Sequence, residues 1–151
     1  MTAGGEQVVL VVEDSEEDRE AIQRALSRSF PELVLEFLPD GQRVADRLRD
    51  PALPHPVLVL LDLNMPGADG YRVLSDLRAD EDPRLCDVLV VVFTSSTTSA
   101  DIDRCYEAGA DSYVYKPVNF TLFRTVLQGA VAYWHSNDFT RPGPPPRAVA
   151  R

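Results

Sequence analysis

Three short runs of unbroken aliphatic residues do most to limit what this chain can become: residues 8–12 (VVLVV), 57–61 (VLVLL) and 88–93 (VLVVVF). A strand with one wet face alternates apolar and polar residues, whereas a strand covered on both faces does not. These runs therefore predict strands buried between two layers. Two weaker candidates join them, residues 33–38 (LVLEFL) and 112–115 (SYVY). The intervening segments have helical spacing. The first follows Ser15, with Asp18 in the capping-box position, and sets Ile22, Ala25, Leu26 and Ser29 along one face. Further helices are expected over 41–49, 70–79, 100–108 and 120–135. Strand and helix alternate five times, which predicts an α/β fold, a parallel sheet wound with helices on both faces.

Breakers fall between these elements: Pro39-Asp40-Gly41, then Pro51, Pro54 and Pro56, then Pro66-Gly67. From residue 137 the composition shifts, ending in RPGPPPRAVAR. Residues 1–136 are thus read as one domain, and 137–151 as a proline-rich tail expected to be disordered or laid along a partner surface. With 151 residues read as one domain and a tail, no output domain is expected. No apolar run approaches the roughly 20 residues of a membrane span, and no basic start with an apolar stretch marks a signal peptide. The expectation is a cytoplasmic protein with no membrane partner. Cys86 and Cys105 match no zinc or CxxC spacing and are expected to be reduced. A net charge of −9 argues against direct nucleic-acid binding, which needs basic stripes.

In open parallel sheets, functional groups collect where strands end at their carboxyl side. Glu13 and Asp14 leave the first candidate strand, Asp62 the third, Thr94 the fourth, and Lys116-Pro117 the fifth. Three carboxylates brought together repel, by about 4 kcal/mol per pair at 4 Å and an effective dielectric near 20. A hard divalent cation such as Mg2+ offsets this and leaves room for a phosphoryl oxygen. A carboxylate beside such an ion can attack phosphorus, and Asp62 is the best candidate. The Lys116 ammonium and Thr94 hydroxyl would complete the charge stabilisation that phosphoryl transfer needs.

On the acidic pair Glu13-Asp14, the stretch from Asp62 to Gly70 (DLNMPGADG), Thr94 and Lys116-Pro117, the chain resembles the receiver domains of two-component response regulators. That resemblance implies a flavodoxin-like five-stranded parallel sheet in the order 2-1-3-4-5. It implies Asp62 as phosphoacceptor and metal ligand, Asp14 as direct metal ligand, Glu13 as ligand through water, and Asn64 as ligand through its backbone carbonyl. Lys116 would bind a phosphoryl oxygen and the Asp62 carboxylate, Thr94 would close on the phosphoryl group, and Tyr113 would turn inward as Thr94 moves. The Lys116–Pro117 bond would be cis. The implied function is signalling: the protein accepts a phosphoryl group from a sensor histidine kinase, catalyses its own phosphotransfer and dephosphorylation, and shifts the surface near the fourth helix and fifth strand. The run KPVNF from Lys116 and the pair Tyr133-Trp134 are similar to those of receivers working with bacterial phytochrome kinases. This narrower resemblance implies a bacteriophytochrome as phosphodonor and a homodimer through the C-terminal helices, with Phe120, Phe123, Tyr133 and Trp134 as apolar surface.

Each residue also has an ordinary reading. Glu13-Asp14 could cap the first helix, Asp62 could serve the turn before Asn64 and Pro66, Thr94 could open a Ser/Thr-rich loop, and Tyr113 could be core. No ordinary reading explains all of them falling at strand ends. A flavin carrier of the same winding needs a Ser/Thr/Gly phosphate loop after strand one, where VVEDSEED offers acids. A haloacid-dehalogenase-like phosphatase needs a DxD there. The alternative from another class is a degenerate receiver that only binds proteins.

Overall fold

The sheet owes its position to the residues that alternate inside its three central strands. The computed structural model describes residues 5–65 and 69–147, so Pro66-Gly67 and residues 148–151 of the tail lie outside the described part. Strands β1 (Gln7–Val12), β2 (Leu33–Leu38), β3 (Leu58–Asp62), β4 (Val90–Thr94) and β5 (Ser112–Tyr115) form one parallel sheet in the order β2-β1-β3-β4-β5. Because successive side chains point to opposite faces, Val9, Val11, Leu58, Leu60, Val91 and Phe93 pack on one side. There they meet Ile22 and Leu26 of α1 (Glu16–Ser29) and Phe123, Leu127, Val131 and Trp134 of α6 (Phe120–Ser136). Leu10, Val12, Val59, Leu61, Val90 and Val92 face the opposite way. They pack against Val44 and Leu48 of α2 (Val44–Arg49), Leu74 and Leu77 of α3 (Gly70–Ala79), Leu85 of α4 (Pro83–Cys86) and Cys105 of α5 (Ser99–Glu107). The unbroken aliphatic runs are two alternating sets, one for each core.

Caps set where the helices start. Ser15 Oγ accepts from Asp18 N–H at 3.2 Å, Asp69 caps α3, Thr98 caps α5 and Asn119 caps α6. The box at α1 is only half built, because the Ser15 N–H goes to Glu13 and Asp18 turns its carboxylate elsewhere. α3 approaches β3 so closely that a Cβ on Gly70 would lie 2.8 Å from the Leu63 Cα, a contact only glycine permits.

Several expectations need correction. The helix expected over 41–49 is a 3₁₀ turn, Gly41–Arg43, continued by α2. α4 was not anticipated; it is a single turn with Asp82 as cap and Pro83 in its first turn. β3 and β4 run to Asp62 and Thr94, so those residues end the strands rather than follow them, because Asp62 pairs in register with Phe93 and Thr94 with Tyr115. The Lys116–Pro117 bond is trans, not cis, the form X–Pro bonds ordinarily favour by about 0.5–1 kcal/mol. Part of the segment expected to be disordered or laid along a partner surface, residues 138–141, packs on the domain itself. Phe139 packs against the α1/α6 core, and the Arg141 guanidinium takes both oxygens of the Asp111 carboxylate at 2.9 Å. The same guanidinium donates to the Asp87 and Val88 carbonyls, while Arg78 shares Asp111 at 2.9 Å.

Candidate phosphoacceptor site

The register of β1, β3, β4 and β5 brings Glu13, Asp14, Asp62, Thr94 and Lys116 to one edge, as the sequence anticipated. Oxygens of Glu13, Asp14 and Asp62 lie within 4.8 Å of one another. Glu13 and Asp62 are buried and Asp14 is exposed. Asp62 also fixes the chain after it, since one of its oxygens accepts from Asn64 N–H at 2.8 Å.

Lys116 crosses from β5 into this crowd. Its Nζ stands 3.1 Å from Asp62, 3.2 Å from Glu13 and 2.5 Å from Asp18, and 5.4 Å from the centre of the Phe93 ring. Burial alone would lower the pKa of this ammonium. The hydrogen bond to Asp18 and the attraction of Asp62 and Glu13 outweigh burial, and the pKa moves up. Glu13 shows the opposite pressure. Burial, then its hydrogen bond with Asp62 and the Asp62 charge, push its carboxyl up to about 8, against the lowering influence of Ser15 N–H and Lys116. One ammonium does not compensate this many carboxylates.

Hard oxygen donors with two buried carboxylates and an unbalanced negative charge fit Mg2+ or a similar divalent ion. Among the described residues this is the group of acids and potential ligands close enough to hold one.

Thr94 is buried and its hydroxyl donates to the Asn64 side-chain oxygen at 2.8 Å, which also accepts from Ser95 N–H at 3.0 Å. The Asn64 side chain therefore has work that the sequence did not suggest: it ties the end of β3 to the loop after β4. Tyr113 is half-buried and its hydroxyl donates to the Ser96 carbonyl at 2.6 Å, pinning the same loop from β5. Ser96 in turn bonds Asp101, at the start of α5. Thr94, the loop, Tyr113 and α5 are one connected network.

Asp18 was missed as a site residue. Its position in the capping box gave it a sufficient local reason, and no short-range signal ties it to a lysine just beyond the fifth strand. Of the four aromatics expected to form a dimer surface, Phe123 and Trp134 are buried, Trp134 donating to Ser112 Oγ at 2.9 Å, while Phe120 and Tyr133 are exposed.

A parallel sheet in this order, with three acids, a hydroxyl and a lysine at its carboxyl edge, defines the receiver architecture. The response regulator receiver domain family matches residues 9–128, and the chain belongs to that family. The probable methanogenesis regulatory protein FilR2 of Methanothrix harundinacea is 36% identical over 132 residues, 84% of this chain and 83% of its own length. More narrowly, the chain is similar to phytochrome response regulators. The phosphorylated cyanobacterial phytochrome response regulator RcpA is 31% identical, with a TM-score of 0.79 over 92% of this chain and all of its own. Response regulator Rcp1 of Synechocystis is 34% identical over 84% of this chain and 88% of its own length. Its Mn2+-bound crystal structure overlays with a TM-score of 0.74 over 85% of this chain and 94% of that chain. No helix among the described residues is long and apolar enough to cross a membrane.

Proposed function

We propose that this protein is the phosphoacceptor of a two-component relay, taking a phosphoryl group on Asp62 from a phosphohistidine of a sensor kinase. The observation that carries this reading is the joint placement of Asp62, Glu13 and Lys116, with both carboxylates within hydrogen-bond reach of one ammonium. Mg2+ would be held by Glu13, Asp14, Asp62 and the Asn64 backbone carbonyl, and would supply positive charge to the transferring group.

An Asp62 oxygen forms the new bond to phosphorus as the donor's P–N bond breaks. Lys116 donates to a phosphoryl oxygen, and the Thr94 hydroxyl exchanges its bond to Asn64 for one to the phosphoryl group. Water later attacks phosphorus, releasing inorganic phosphate and restoring the Asp62 carboxylate. The transfer and the later hydrolysis are self-catalysed steps of a signalling protein. Loss of the Thr94–Asn64 bond loosens the loop that Tyr113 holds at Ser96, so Tyr113 and α5 shift together. A partner reads that change. The likeness to RcpA and Rcp1 supports a phytochrome-type donor, such as a bacteriophytochrome. Exposed Phe120 and Tyr133 on α6 supply apolar area for pairing with a second copy.

The test is incubation with Mg2+ and acetyl phosphate, read by intact mass. Gain of one phosphoryl group that needs Mg2+ and is lost in Asp62→Asn is the expected result. No gain would leave a receiver that acts only as a protein-binding module.

A further inference from the structure

The Lys116 ammonium has three N–H donors and three carboxylates beside it: Asp62 at 3.1 Å and Glu13 at 3.2 Å accept hydrogen bonds from it, and Asp18 forms an ion pair with it at 2.5 Å. Two of these acids have a second obligation. Glu13 and Asp62 belong to the acidic cluster, and Asp62 is also the nucleophile of the proposed reaction. Asp18 stands outside that cluster. Its backbone is fixed by the bond from its N–H to Ser15 Oγ at 3.2 Å, and α1 packs firmly through Ile22, Ala25 and Leu26. It therefore offers a rigid anchor at the rim of the site, with 35% of its side chain exposed against 17% for Lys116.

A lysine side chain is flexible, with a charge at the end of four methylenes. Left to Glu13 and Asp62, it would lose its anchors when their oxygens turn to other work. We propose that Asp18 is a positioning residue that holds the Lys116 ammonium beside Asp62 during phosphoryl transfer. The inference rests on the receiver reading given above and adds to it a residue that acts through Lys116. A general role as a negative charge near the α1 N-terminus is the competing explanation, and Glu17 in the same turn serves as its control.

The experiment follows phosphoryl gain from acetyl phosphate by intact mass in the full chain at saturating Mg2+. Asp18→Asn keeps the backbone cap and is expected to slow transfer about tenfold, as for loss of one hydrogen bond to a charged group. Glu17→Gln should slow it less than about twofold, the scale of an exposed charge. Asp18→Glu should recover part of the rate. In a Lys116→Met background, Asp18→Asn should have no further effect, because the two residues act as one unit. Mg2+ affinity of Asp18→Asn, read by calorimetry, should change far less than the transfer rate. Multiplying effects of Asp18→Asn and Lys116→Met, or a Glu17→Gln loss equal to that of Asp18→Asn, would overturn the proposal. If the wild type gains a phosphoryl group and Asp18→Asn gains it equally fast, only the role of Asp18 falls. If the wild type gains none, the receiver reading falls and takes this inference with it.

Discussion

Replacing Asp62 by asparagine should make the metal-free protein more stable, although it alters a buried residue. Asp62 faces two carboxylates with oxygens within 4.8 Å and one ammonium at 3.1 Å. At an effective dielectric near 20, each repulsion is worth about 3.5 kcal/mol and the attraction about 5 kcal/mol. Two repulsions exceed one attraction by about 2 kcal/mol, and asparagine also avoids burying a charge at a position only 2% exposed. Asn64 N–H and Lys116 reach different oxygens of Asp62, so the single amide oxygen can keep the bond from Asn64 N–H while Lys116 retains Glu13 and Asp18. The expected gain of about 2 kcal/mol corresponds to a Tm rise of about 4–8 °C for a domain of this size. Thermal unfolding should be followed by circular dichroism in EDTA at pH 9, above the value of about 8 for Glu13, so that its carboxylate is charged. Millimolar Mg2+ should then stabilise the wild type and leave the variant nearly unchanged, because one ligand is gone. An Asp62→Asn protein less stable than wild type in EDTA, or one that keeps the full Mg2+ response, would refute the electrostatic account of the site.

Other consequences can be checked independently. Glu13 is raised from 4.5 to about 8 in the fold, so between those values the folded protein holds a proton that the unfolded chain has released; metal-free stability should fall as pH rises through this window, and urea midpoints from pH 5 to 9 would show it. Near pH 7 metal binding should release close to one proton, detectable by calorimetry in buffers of different ionisation enthalpy. Arg141→Ala removes both bonds from the tail to Asp111, and should cost about 1–3 kcal/mol in urea unfolding, since Arg78 still pairs that carboxylate. Gly70→Ala sets a methyl 2.8 Å from the Leu63 Cα and should cost about 1–3 kcal/mol, with weakened Mg2+ binding as the end of β3 is displaced.

The residues that bury themselves, and the acids and lysine that end the strands, are legible in the sequence because their signals are local. A β-branched run without alternation means a strand covered twice, and β1, β3 and β4 are those runs, shifted by two residues at most at their starts. From there, placing Glu13, Asp14, Asp62, Thr94 and Lys116 at one edge needs only the rule for parallel sheets. What tertiary structure decided are pairings between distant positions, each of which had a sufficient local reading. Asp18 looked like a helix cap and instead anchors Lys116. Asn64 was expected to offer its backbone carbonyl, and its side chain is also engaged, receiving the Thr94 hydroxyl. Arg141 looked like part of a loose tail and instead closes on Asp111. Hydrophobic burial follows the periodicity of the chain, so it can be read residue by residue. A hydrogen bond depends on position to within a few tenths of an ångström, and those positions exist only once the strands have taken their register and the helices have packed.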